Sequence, residues 1–276
     1  MTAEPTLAET PFSDAIGVEP LGDGRYRAEL GPTWTVVGGR VHGGLLQVLL
    51  TRAALARLED ERPGTALDPL VVSTDFLHAP ELGTVELHTE LLKVGRTVSV
   101  VSVRLVQADR VTLASTVTAG RLPDEPAEWA QLPAMPAVPP PEAIDLTQHR
   151  AAFPLAGACQ LRCDPGTLGF ARGERGAPEI RGWVRPHGEE PDLLFALLAG
   201  DVMPPTVLNL RGRLGWAPTV QMTALLRSRP APGWLRLYAR STNVAGTWFD
   251  EDMVVVDQSG RLVCQTRQLA LAPRSC

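Results

Sequence analysis

The sequence predicts an α+β fold in which a long antiparallel sheet wraps a central helix, and it predicts that arrangement twice. Three observations carry this. A gapless shift of 150 residues lays Pro80, Gly83, Leu87, Val94, Thr97 and Thr116 on Pro230, Gly233, Leu237, Val244, Thr247 and Thr266. Each half places one apolar helix candidate ahead of a run of alternating strands. Between the halves lies Pro123–Pro141, with prolines at 123, 126, 133, 136, 139, 140 and 141. Proline fixes φ and has no N–H, so this run supplies neither a helix interior nor a central strand and reads as a semi-rigid linker. The predicted organisation is a first domain over 1–122, a linker over 123–150 and a second domain over 151–276.

In chain order, residues 1–14 carry acids and prolines and no basic-then-apolar leader pattern. Gly44–Leu58 is apolar on most sides, with Arg52, Arg57 and Glu59 towards its end, which predicts a buried helix. Val85, Leu87 and Leu91 alternate as a half-buried strand does. Val101, Val103 and Leu105 follow, then Val111 and Leu113 after an Ala-Asp-Arg turn. The second helix is predicted to start at Pro191-Asp192, an acidic opening suited to a helix N-terminus, and to run through Leu193–Leu198 to Asp201. Leu235 and Leu237, Met253–Val256, and Leu262 and Val263 complete the second set of strands around a Gln-Ser-Gly turn.

Bulk composition narrows the function classes. Of the 276 residues, 44% are hydrophobic and 21% charged, as in globular proteins. The formal net charge of -5, with scattered arginines and few lysines, offers no basic footprint for a nucleic acid or an anionic membrane surface. Apolar runs such as Gly43–Leu50 and Leu193–Gly200 are far shorter than a membrane span. Four irregularly placed cysteines, Cys159, Cys163, Cys264 and Cys276, make no disulfide framework, and a reduced, cytoplasmic setting is the expectation. No metal and no cofactor is expected. Cys159-x-x-x-Cys163 lacks a second pair of ligands, there is no His-Glu-x-x-His, and neither Gly-x-Gly-x-x-Gly nor a Walker loop occurs. A serine-hydrolase elbow is absent as well.

Six segments together resemble one family. Val41-His42-Gly43-Gly44, Leu77-His78-Ala79-Pro80 and Leu91–Thr97 in the first half, with Leu198-Ala199-Gly200-Asp201, Pro218–Thr223 and Leu262–Gln268 in the second, are similar in order and spacing to the TesB-like double-hotdog acyl-CoA thioesterases. The resemblance runs from about Phe12 to Pro273 and omits the linker. It implies two tandem hotdog domains, an acyl-CoA substrate, hydrolysis to free acid and CoA, and a homodimer. Carried over by position, the catalytic Asp, Thr and Gln of the family fall on Asp201, Thr219 and Gln268, with Thr223 an alternative hydroxyl. His42, Gly43, Gly44 and Thr223 are expected on the substrate side.

The chemistry suits those residue types. A partly buried carboxylate can hold a water and accept its proton, and burial raises its pKa. Asp201 is the only charged residue between Asp192 and Arg211. A Gln amide and a Thr hydroxyl can hold the same water, and a helix N-terminus can meet the oxyanion. Each residue also has a plainer reading: Asp201 as a helix end, Gln268 as an interfacial amide, Thr219 as a strand residue, His42 as structural. Asp75 and His78 read as a surface pair. Arg211, Arg213, Arg227 and Arg229 are candidates for the CoA phosphates. Two other functions remain open, an acyl-CoA-binding hotdog protein without turnover and, with no helical His after Asp201 to support it, a hotdog enoyl-CoA hydratase.

Overall fold

Helix α1 spans Gly43–Glu61, and nearly every side chain that is not charged is buried, as its all-round apolar sequence requires. Around it, β1 (Glu19–Gly22), β2 (Arg25–Leu30), β3 (Asp68–Phe76), β4 (Gly83–Lys93), β5 (Val98–Gln107) and β6 (Arg110–Gly120) pair antiparallel. The hairpin between β5 and β6 turns on Ala108 and Asp109, both at positive φ, which matches the right-handed twist of the flanking strands. This computed structural model describes residues 9–149, 153–212 and 215–273.

The second half repeats the plan with β7 (Cys159–Cys163), β8 (Glu179–Pro186), helix α2 (Leu193–Ala199), β9 (Thr219–Leu226), β10 (Leu235–Arg240), β11 (Trp248–Val256) and β12 (Leu262–Leu271). Here α2 has only seven residues, shorter than predicted. Gly200 weakens the helix, and Pro204-Pro205 cannot continue it. A short helix α3 (Val207–Arg211) follows.

These twelve strands form one sheet, ordered β1-β2-β4-β5-β6-β3-β9-β12-β11-β10-β8-β7, with Ile144–Asp145 at its far edge, and Thr35–Val36 pairs with Arg40–Val41 apart from it. The order reads the same outward from the β3–β9 seam in both directions. At the seam Ser73 pairs with Thr223, residues 150 apart, and their hydroxyls lie 2.9 Å from each other. The repeat in the sequence is therefore a two-fold pseudosymmetry in space, with its axis through that pair. Both helices lie against the same face of the sheet and pack on each other. Phe12 stacks edge-on against Trp34 and, at 5.1 Å between centroids, against Phe195 of α2, joining the halves.

Residues 121–143 form neither helix nor strand. They run along the outer face of the second half, where Trp183 Nε1 donates to the Pro136 carbonyl at 2.9 Å and Arg236 Nη1 to the Met135 carbonyl at 3.2 Å.

Candidate active site

The N-terminus of α1 points into a cleft of about 800 Å³ whose walls are largely apolar, with Leu46, Phe76, Leu146, Phe153, Phe170 and Leu208 among them. His42 is the N-cap: its Nδ1 accepts from the Leu45 N–H at 3.3 Å. The proton of the ring is thereby assigned to Nε2, which donates to the Asp201 carbonyl oxygen at 3.0 Å. Two glycines make this approach possible. A Cβ on Gly43 would lie 2.8 Å from Asp201 Oδ2, and one on Gly44 would lie 3.0 Å from the Leu198 carbonyl and 3.1 Å from the Asp201 Cβ. From the other side, the Gly200 carbonyl accepts from the Thr266 hydroxyl at 2.6 Å, which anchors the end of α2 to β12.

Thr219 and Gln268 face the same cleft from adjoining strands. Side chains alternate along a strand, and Gln221 and Thr223 turn to the outer face, so an unbroken β9 would carry Thr219 outward with them. A bulge between Thr219 and Gln221, opposite Leu269 and Ala270, reverses the phase and aims Thr219 inward. Its hydroxyl then donates to Gln268 Oε1 at 2.6 Å. Gln268 Nε2 in turn donates to Glu251 Oε1 at 3.0 Å, and Glu251 Oε2 accepts from the backbone N–H and the hydroxyl of Thr206 at 2.7 and 2.8 Å.

Burial dominates the electrostatics. It raises Asp201 from 3.8 to about 7, opposed by the hydrogen bond from the Gly44 N–H. Glu251 is likewise pushed up to about 7, by burial first, with the nearby Asp201 adding to the rise and the Thr206 and Gln268 donors opposing it. His42 goes the other way, down to about 4, again through burial. The 3.7 Å approach of its Nε2 to Asp201 Oδ2 is therefore no ion pair at neutral pH, because the ring is uncharged there. The site thus offers two carboxyl groups that titrate near neutrality beside a positive helix end.

The structure brings His42, Gly43, Asp201, Thr219 and Gln268 to this one cleft. Gly44 reaches it through its N–H on Asp201. Thr223 stands elsewhere: on the outer face, within a polar cluster with Ser73 and Gln221. Asp75 is exposed, and His78 lies at the cleft rim beside Arg110. Among the arginines considered for phosphates, Arg211 bonds the Gly246 carbonyl, Arg229 pairs with Asp68, Arg227 is not part of the cleft wall, and Arg213 lies outside the described residues. Among the described residues the arginines on the cleft are Arg40, whose guanidinium sits 5.3 Å from the Trp216 ring centroid, and Arg172. Sequence reasoning missed Glu251. Its signal was present: Phe249, Met253 and Val255 share its phase on β11 and are buried, so an acid there sits in a core register.

The pseudosymmetric location is chemically different. Positions 150 residues away replace Asp201 by Thr51, Thr219 by Pro69, Glu251 by Val101 and Gln268 by Thr118. Thr51 donates to the Gln47 carbonyl of its own helix at 2.8 Å. Only the cap is kept, since Asp192 Oδ1 accepts from the Phe195 N–H as His42 Nδ1 does from Leu45.

Comparison with known proteins gives the family of the chain. The family model of the acyl-CoA thioesterase N-terminal domain matches residues 30–120, and that of the acyl-CoA thioesterase C-terminal domain matches residues 123–272. The chain belongs to the acyl-CoA thioesterase family. As a thioesterase of that family it is a thioester hydrolase with a tandem hotdog fold. It is 37% identical to an uncharacterized protein of Mycobacterium tuberculosis, over 95% of this chain and 98% of the relative. Among solved structures, one assigned as a thioesterase II of Thermobifida fusca superposes with a TM-score of 0.82 at 32% identity, over 96% of this chain and 98% of that one. The acyl-CoA thioesterase II TesB2 of Mycobacterium marinum shares the fold at a TM-score of 0.69 and 15% identity, over 96% and 98% of the two chains.

Proposed function

We propose that this thioesterase hydrolyses acyl-CoA to free acid and CoA with a water activated by Asp201 and held by Thr219 and Gln268. The acyl chain lies along the apolar cleft, and the CoA phosphates meet Arg40, held against Trp216, and Arg172 at its rim. The Asp201 carboxylate takes a proton as the water oxygen bonds to the thioester carbon. The Gly43 N–H, at the start of α1, faces the oxygen that becomes negative. The C–S bond then breaks, and the leaving thiolate recovers the proton from Asp201. No covalent intermediate is needed.

One observation carries the reading: a buried carboxyl with a pKa near 7 stands at a helix N-terminus, in an apolar cleft, beside a hydrogen-bonded Thr–Gln pair. A general base of that pKa is half ionised at neutral pH, where it is both available and basic enough. The test is thiol release from a panel of acyl-CoAs, comparing the native protein with Asp201→Asn. Loss of about two orders of magnitude or more supports the assignment. Turnover that survives the substitution moves the base elsewhere, and binding without turnover on any substrate favours an acyl-CoA-binding protein.

A further inference from the structure

Glu251 is a buried carboxyl that the reaction just described does not use, yet it accepts from Gln268, which in turn accepts from Thr219, two groups that the reaction does use. The Thr206 main-chain N–H only donates, so Glu251 Oε2 must accept. The Thr206 hydroxyl also lies 2.7 Å from Ser241 Oγ, so Ser241 can supply that bond while Thr206 gives its own proton to Glu251. Oε1 is left facing Gln268. An ionised Oε1 can only accept, so the Gln268 amide presents its NH2 to Glu251 and its oxygen to Thr219. The Thr219 proton is then committed to Gln268, and its lone pairs face the cleft.

That direction matters for a water used as a nucleophile. Water has two protons and two lone pairs. If one proton goes to Asp201 and the other to the Thr219 oxygen, a lone pair is free to attack carbon. If the chain ran the other way, Thr219 would donate to the water, tying up one of its two lone pairs, drawing electron density from the attacking oxygen and leaving its second proton without that acceptor. We propose that Glu251 is a positioning residue of this site, whose carboxylate sets the direction of the Gln268–Thr219 hydrogen bonds so that Thr219 accepts from the attacking water. The inference rests on the thioesterase reading of the cleft.

Among the described residues, the charged and titratable groups around Glu251 are few. The segment after α2 brings Asp201, and the α1 cap brings the neutral His42. From β12 comes only the uncharged Gln268, because Arg267 turns outward to pair with Asp252. Thr206 and Ser241 are uncharged, and Arg172 on the same cleft is exposed and paired with Glu174. Asp201 and Glu251 therefore titrate as a pair of like charges.

The test is Glu251→Gln, which keeps the shape and changes the direction. The new amide must hold its oxygen towards Thr206, so its NH2 faces Gln268 and flips that amide. The expected result is a fall in kcat of about ten- to hundredfold with KM unchanged. The acid limb of the kcat/KM profile moves to lower pH, because Asp201 loses a like-charged neighbour. Adding Gln268→Glu in the same chain restores an acceptor towards both neighbours, and kcat should recover by about tenfold. Native kcat and an unmoved limb in Glu251→Gln overturn the proposal, as does a loss that the second substitution leaves untouched. Should Glu251→Gln not fold, the native protein decides: the Gln268 side-chain amide resonances should shift with the midpoint of the acid limb, and static resonances from about pH 5 to about pH 9 overturn it. Collapse of turnover in Asp201→Asn beside an indifferent Glu251→Gln refutes this inference alone, whereas turnover that survives Asp201→Asn refutes the reading beneath it.

Discussion

Asp201 and His42 meet at 3.0 Å, yet their titrations act on stability in opposite directions. In the folded protein Asp201 keeps its proton to about pH 7, whereas the unfolded chain loses it near 3.8. The folded state therefore binds more protons between those values, and this group makes stability fall as pH rises through that window. His42 is lowered from 6.5 to about 4, so it resists protonation when folded, and stability falls as pH drops from 6.5 towards 4. Asp201→Asn removes the first effect and leaves the second. Its melting temperature should exceed that of the native protein at about pH 8, and the gain should fade as pH approaches 4. Calorimetry across pH checks this; a gain independent of pH would show that ionisation is not its cause. On the proposed reading, the protein gives up stability at neutral pH to keep a base of useful strength.

At the scale of elements, one irregularity in β9 decides which threonine faces the cleft. Thr219 and Thr223 are four residues apart and would share a face in a regular strand. The bulge at Thr219/Gln221 separates them, one into the cleft and one to the outer seam. Thr219→Val should therefore cut kcat by about tenfold or more, and Thr223→Val should leave turnover near native. Thiol release measured side by side checks the pair; equal effects would contradict the bulge as the deciding feature. The sequence left those two hydroxyls open because a bulge is set by the partner strand, and nothing local to Pro218–Thr223 declares it. The capped start of α2 was legible, since Pro191-Asp192 is a local signal and Asp192 does accept from the Phe195 N–H. Its early end was less so, although Gly200 and Pro204-Pro205 were in view.

For the molecule as a whole, the site exists only because the halves are joined. The α1 N-terminus comes from the first half, and Asp201, Thr219, Gln268 and Glu251 come from the second. Separated, each half would expose a long central strand, β3 or β9, with its ladder of unpaired N–H and C=O groups. Chains 1–122 and 123–276, expressed apart, should show no turnover singly and regain it only on mixing. Thiol release from each chain and from the mixture tests this, and activity in the second chain alone would argue against a site completed by α1.

The amino-acid sequence by itself determined the duplicated α+β plan, the buried helix and the strand phases, because periodicity and proline placement are local, and the candidacy of Asp201 and Gln268 came with the family resemblance of its motifs. Only the tertiary structure decided that residues 159 apart, His42 and Asp201, touch across the pseudo-two-fold, that Thr219 faces inward, and that Glu251 completes the chain of hydrogen bonds. Those outcomes depend on sheet register, on glycine-permitted close approach and on burial, which are properties of packed neighbours and not of any one segment.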